Sequence, residues 1–223
     1  MLNGAFLALA IALVLPPTFA ARQSRRQGPC HSYVLVSSRG TNEPQGPSMQ
    51  FKGMIEQTLN TLPNGIEVDN PYPADSSAGS ARQGQGWLRN FVEQGLKTCP
   101  AQKYALLGWS QGAVVAAGSG VTSDAVQAII LVGDPFHTPN RSGNVDEHGG
   151  SSTTGATGLM GGSGGGSAMR KYADEGKVLD ICFQGDFVCG STAPRDPAAH
   201  GRYGGSKEVQ ELGAAFLIKQ LRG

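Results

Sequence analysis

An α/β architecture, with a mostly parallel sheet covered by helices on both faces, is the fold class this chain predicts. Three observations carry that prediction. Short runs rich in β-formers alternate with longer runs of helical periodicity, the pattern of strands joined by helical crossovers. The 223 residues are enough for one domain with a proper core. The composition, 39% hydrophobic and 16% charged with a net charge of +1, is too poor in charge for a long coiled coil. It also supplies no basic stripe for nucleic acid. Glycine is abundant, at 33 residues, but follows no collagen period.

The elements follow in order. Ser32 to Ser38 (SYVLVSS) reads as a strand. Ser48 to Leu62 places Met49, Phe51, Met54, Ile55, Leu59 and Leu62 at helical spacing, and Pro63-Asn64-Gly65 stops it. Ile66 to Val68 makes a short strand. Gly86 to Lys97 sets Trp87, Leu88, Phe91, Val92 and Leu96 on one helical face. Lys103 to Trp109 is a clear strand, and Gln111 to Ser119 is a small-residue helix suited to close packing on a sheet. Val126 to Val132 and Lys177 to Cys182 are further strands. Ser206 to Leu221 closes the chain as an amphipathic helix with Val209, Leu212, Ala215, Phe216 and Leu221 inward. Residues 149–167 are nearly all Gly, Ser, Thr and Ala and read as a flexible surface insertion within one domain. Asn140-Arg141-Ser142 before it is an N-glycosylation sequon.

The first residues have the layout of a secretory signal. An apolar run from Ala5 to Leu15 is broken by Pro16-Pro17, and small residues stand at the positions needed for cleavage after Ala20. The run is shorter than the about 20 residues a bilayer span needs. Its lack of Lys or Arg before the apolar run is a departure, and a buried N-terminal helix is the competing reading. Residues 21–29 form an arm or propeptide in which Arg25-Arg26 offers a dibasic processing site or simply a solvated stretch. Residues 30–223 are then the folded domain. Four cysteines in an exported chain point to disulfides, with three pairings possible. Cys182 with Cys189 is the simplest local pair and leaves Cys30 with Cys99. No C-x-x-C spacing supports zinc, and no metal or cofactor is expected.

The sharpest chemical signal is Gly108-Trp109-Ser110-Gln111-Gly112, a G-x-S-x-G between a strand and a helix. There a serine occupies a tight turn that projects its hydroxyl into a cleft. The helix behind it offers N–H groups to a developing oxyanion. A base and an orienting acid are needed. Of four histidines, His31 adjoins Cys30 and reads as structural, and His148 borders the insertion and reads as solvated. Asp134 and His137 could pair on one loop, though Asp134 before Pro135 also reads as a turn residue. The chain order Ser, acid, His favours Asp186 and His200. Asp186 lies between Cys182 and Cys189, and a short disulfide loop would fix its aim.

Together with Ser37-Ser38-Arg39-Gly40-Thr41, the stretch Cys182 to Cys189 (CFQGDFVC) and His200 followed by Tyr203, this pattern resembles the cutinase family from Cys30 to the C-terminus. That family comprises secreted serine esterases, acetylxylan esterases among them. The resemblance implies a minimal α/β-hydrolase fold with a five-stranded sheet, a monomer and an open cleft without a large lid. It implies Ser110 as nucleophile, His200 as base and Asp186 as acid. It implies Gln111 and Thr41 as oxyanion-hole residues, and the Cys30–Cys99 and Cys182–Cys189 pairings. Two departures concern substrate. Thr192 to Ala199 (TAPRDPAA) is more polar than the apolar histidine loop of cutinases, and residues 149–167 are no core feature of the family. A third, Trp109 in place of the usual tyrosine, is conservative. The resemblance therefore implies an ester substrate, whether cutin, a lipid, a short-chain ester or acetylated polysaccharide. A secreted interaction protein using the fold without the chemistry is the reading from another class.

Overall fold

The computed structural model describes residues 30–161, 166–190 and 195–222. The expected signal and arm, residues 162–165 of the expected insertion, and Thr192 to Pro194 in the histidine loop lie outside them. Six strands form one sheet: β1 (Tyr33–Ser38), β2 (Gly65–Asp69), β3 (Lys103–Trp109), β4 (Val126–Val132), β5 (Asn144–Val145) and β6 (Val178–Ile181). Their spatial order is β2-β1-β3-β4-β6-β5, and every pair is parallel. The expected count of five is therefore one short. The extra strand is two residues at the sheet's edge, held by Asn144 opposite Asp180 and Val145 opposite Ile181, too short to leave a periodic signature.

Alternation along the strands builds a core on each side. Val34, Val36, Leu106, Ile129 and Leu131 face α2 (Ser80–Thr98), α3 (Gln111–Gly118) and α4 (Gly166–Asp174). Tyr33, Leu35, Leu107, Ile130 and Val132 face α1 (Lys52–Thr61) and α5 (Lys207–Arg222). The helix α4 was not expected. Its inward Met169, Tyr172 and Ala173 make a single helical repeat beside a Gly/Ser run. The helix α2 starts at Ser80 rather than Gly86, and within the added turns Gly84 lies where a Cβ would come within 2.9 Å of Tyr72 and Val115. In α5 the buried stripe is Val209, Gln210, Gly213, Ala214, Leu217 and Leu221, and Ala215 faces outward. Close packing of Gly213 on Met54 turns that face away from the purely apolar stripe.

Residues 149–161 differ from a free insertion. Thr153 is buried and its hydroxyl donates to the Cys182 carbonyl at 2.9 Å. Backbone N–H groups of Gly158, Leu159 and Met160 donate to the carbonyls of His137, Val188 and Pro135. Main-chain hydrogen bonds substitute here for the apolar burial the composition lacks.

Strand β1 connects to a neighbour on one side and β3 to a neighbour on the other, through α1 and α3 on opposite faces. Such a switch point opens a crevice at the carboxyl ends of the strands. Thr41 follows β1, Ser110 follows β3, Gly133 follows β4 and Asp186 follows β6.

Candidate active site

Ser110 caps α3 with φ 54° and ψ −116°, a conformation that a non-glycine residue adopts only under constraint. The constraint comes from the flanking glycines. A Cβ on Gly108 would lie 2.2 Å from the Gly112 carbonyl, and one on Gly112 would lie 1.9 Å from the Ser38 carbonyl. The turn can close against β1 only without those side chains. The Ser110 N–H donates to the Val132 carbonyl at 3.1 Å, fixing the turn to β4.

The structure brings Asp186 and His200 together. Nδ1 of His200 lies 2.9 Å from Oδ2 and 3.1 Å from Oδ1 of Asp186. Asp186 is fully buried, whereas the His200 side chain keeps 21% exposure. Two further donors hold the carboxylate: the Val188 N–H on Oδ1 at 2.9 Å and the Tyr203 hydroxyl on Oδ2 at 2.6 Å. Burial, then the Asp186 charge, pushes the Tyr203 phenol well above its ordinary pKa, so it stays a donor. The Cys182–Cys189 disulfide closes the loop that carries Asp186. The second disulfide joins Cys30 to Cys99.

His200 is tied to the serine turn through Trp109, whose Nε1–H donates to the His200 carbonyl at 3.0 Å. The two rings stand 5.4 Å apart. Beneath them, Gly133 has φ +58°, and a Cβ there would meet His200 at 2.8 Å and Asp186 at 3.0 Å. Neither the Trp109 bond nor the Tyr203 bond was expected, although both residues stood inside the motifs. Their polar handles are the only signal the sequence offers.

Thr41 lies half-buried in the loop after β1. Its neighbour Gly40 packs on the Trp109 ring, where a Cβ would come within 2.4 Å. The loop is built around Arg39, only 4% exposed, whose guanidinium donates to the carbonyls of Glu43, Asn70, Tyr72 and Pro73. The Gly40 N–H donates to Glu43 Oε2 at 3.0 Å. The Gln111 side chain is drawn aside, donating to the Asp75 carbonyl at 2.8 Å and accepting from the Ser80 hydroxyl at 3.0 Å. The main-chain N–H of Gln111 stands at the first turn of α3, where helical N–H groups have no intrahelical partner.

Asp134 and His137 do not form an acid–base pair. His137 Nδ1 instead lies 2.7 Å from Oδ2 of Asp180, with both side chains fully buried. Its Nε2 lies 3.2 Å from the Thr153 carbonyl. Arg141 bridges Asp180 and Asp134. Asp134 Oδ1 accepts the Phe136 N–H at 2.9 Å, a turn bond as Pro135 predicts. His148 is exposed and pairs with Glu208. The His31 N–H donates to Gln102. Among the described residues, no group of three or more His, Cys, Asp or Glu is placed to hold a metal ion. No described helix is long and apolar enough to cross a membrane.

A serine at a strained strand-to-helix turn, a buried carboxylate on a histidine and a parallel sheet with a switch point together define the α/β-hydrolase class. The sequence profile of the Cutinase family matches residues 29–221, and the chain belongs to that family. Cutinase 4 of Emericella nidulans is 32% identical over 124 residues, covering 53% of this chain and 55% of that protein. A cutinase of Hypocrea jecorina is 29% identical over 173 residues, covering 72% and 57%. The chain thus spans little more than half the length of these relatives. Among solved structures, a cutinase-like protein from Cryptococcus sp. superposes with a TM-score of 0.77 at 33% identity, covering 87% of this chain and 97% of that one. The catalytic core of acetyl xylan esterase from Trichoderma reesei shares the fold, with a TM-score of 0.70 at 22% identity over 86% and 100% of the two chains.

Proposed function

We propose that this chain is a secreted carboxylic-ester hydrolase that works through an acyl-enzyme on Ser110. One observation carries the reading: a buried, doubly supported Asp186 holds His200 at 2.9 Å, tied through Trp109 to the turn that strains Ser110. In this reading Ser110 Oγ attacks the ester carbonyl carbon while His200 Nε2 takes its proton. Asp186 keeps the Nδ1 proton in place and stabilises the imidazolium. Negative charge gathers on the carbonyl oxygen and meets donors from Thr41 and from the Gln111 N–H. His200 then returns the proton to the leaving alcohol, and water, deprotonated by the same histidine, releases the acid. The signal-like start and two disulfides support export.

The substrate in this reading is a cutin-type polyester or a short-chain ester. The polar Arg195 and Asp196 beside His200 favour a second reading, an acetylated polysaccharide. An activated alkyl phosphonate tests the chemistry. Mass spectrometry is expected to find one covalent adduct on Ser110, absent in Ser110→Ala. A folded wild-type chain that takes no label would move the assignment to a non-catalytic, secreted binding protein.

A further inference from the structure

The sequon Asn140-Arg141-Ser142 is a motif that the proposed reaction leaves unused. An N-linked sugar needs an asparagine with a hydroxyl residue two places on, and a fold that leaves both in water. Here the three residues alternate out, in, out. Asn140 and Ser142 are exposed. The Arg141 side chain between them is only 8% exposed and bridges Asp134 and Asp180, which roots the turn in the buried cluster. Asn140 has φ 58°, a left-handed conformation that asparagine adopts more readily than most residues with a side chain. A bulky group on its amide therefore costs the fold no burial.

The same turn is stitched to the loop of residues 149–161. The Asn140 N–H donates to the Thr154 carbonyl at 2.8 Å. A Cβ on Gly155 would lie 3.9 Å from Asn140 Oδ1, so the amide stands directly beside that glycine. Ser151, Ser152 and Gly155 are exposed, and side chains this small give the main chain little cover. Exposed loops of small and polar residues are where proteases nick folded proteins.

We propose that Asn140 carries an N-linked oligosaccharide, and that this sugar covers the Gly/Ser-rich loop beside it. In the transfer, Asn140 Nδ2 forms a bond to the anomeric carbon of an oligosaccharide carried on a lipid pyrophosphate. The bond from that carbon to the pyrophosphate breaks, the amide gives up one proton and the lipid pyrophosphate leaves. The inference rests on the export part of the proposed function, because the modification belongs to secreted chains. It does not depend on the ester chemistry.

The test secretes the full chain from yeast behind its own N-terminal segment. Wild type is compared with Ser142→Ala, which breaks the sequon but keeps the turn asparagine, and with Ser142→Thr, which keeps both. Intact mass and peptide mapping are expected to find a glycan on Asn140 in wild type and Ser142→Thr, removable by a peptide-N-glycosidase, and none in Ser142→Ala. Under limited subtilisin digestion, Ser142→Ala and the enzymatically deglycosylated wild type should be cut within residues 149–161 about fivefold faster than the glycosylated chain. Cutting elsewhere should be unchanged, which separates loss of cover from loss of stability. A chain released to the medium at the mass of its bare polypeptide would overturn the proposal. Equal cutting of bare and glycosylated loops would overturn the covering role. A chain retained in the cell would instead sink the export reading, and the same chain behind a yeast secretion leader then decides whether Asn140 is used.

Discussion

Two histidine–aspartate pairs sit at the carboxyl end of this sheet, and by bond length they are nearly twins. His200 lies 2.9 Å from Asp186, and His137 lies 2.7 Å from Asp180. Their surroundings set them apart. His200 is partly exposed and tied to the serine turn through Trp109. His137 is sealed, its second nitrogen facing the Thr153 carbonyl, and its aspartate is shared with Arg141. A His–Asp bond alone therefore says nothing about catalysis. What counts is whether the far nitrogen opens towards a nucleophile or is occupied by the fold. The inner pair joins β6 to the loops after β4 and β5, so its chemistry is structural.

The sharpest way to break this contrast is the same substitution at both carboxylates. Asp186→Asn is expected to lower kcat about 10⁴-fold, because the amide no longer holds the reactive tautomer or balances the imidazolium. The melting temperature should move far less. Asp180→Asn should do the reverse. It leaves Arg141 and His137 buried without their shared counter-charge, a loss of about 3–5 kcal/mol, a large part of a typical domain's stability. Activity per folded molecule should stay within about threefold. Paired kinetics and thermal melts read both arms. Equal kinetic damage from the two substitutions would make the inner pair part of the chemistry.

Tyr203 sharpens the comparison on the outer side alone. Its hydroxyl donates to Asp186 and accepts the Phe183 N–H at 3.1 Å. Tyr203→Phe should lower kcat roughly tenfold with KM unchanged, the worth of one hydrogen bond to a charged group. It should also lower stability by about 1–3 kcal/mol through the unpaired Phe183 N–H. A loss of stability with kcat intact would reduce Tyr203 to packing.

How far the two pairs were legible in the sequence follows from how each is built. The outer pair is local to motifs. A strand, a G-x-S-x-G and a short cysteine loop put Ser110 and Asp186 at strand ends by topology alone, and five of the six strands announce themselves by residue type. The inner pair joins His137 to Asp180 across 43 residues, through a loop of glycine and serine that looks formless because its order is held by main-chain bonds. Arg39 and Tyr203 were hidden for the same reason. Each is an ordinary residue inside a recognised motif, and its role lies in partners far along the chain. Short elements were lost too, since β5 is two residues long and the inward residues of α4, Met169, Tyr172 and Ala173, make a single helical repeat.

The smallest expected effect is a pH slope to which the inner cluster contributes, alongside His148, raised by its bond to Glu208, and Glu67, raised by burial. Burial, then the Asp180 charge, pushes Asp134 up to about 6. Its neutral form is thus favoured in the fold, and that stabilisation is present below pH 3.8 and lost as pH climbs towards 6. His137 moves the same way. Burial works against its charge, but the adjoining Asp180 and the more distant Asp134 outweigh burial and the repulsion from Arg141, so its pKa is raised above 6.5. The contribution of the imidazolium is complete below 6.5 and lost as pH rises through the folded value. Asp180, held down against burial by His137 and Arg141, acts oppositely, but only below pH 3.8. Between pH 4.5 and 8.5 the two inner groups with raised pKa values therefore both favour the acid end, and the melting temperature should fall across that window. Replacing both, as Asp134→Asn/His137→Gln, should reduce the slope. A slope as steep after the inner double substitution as before it would mean that the sealed cluster is not the charged unit described here.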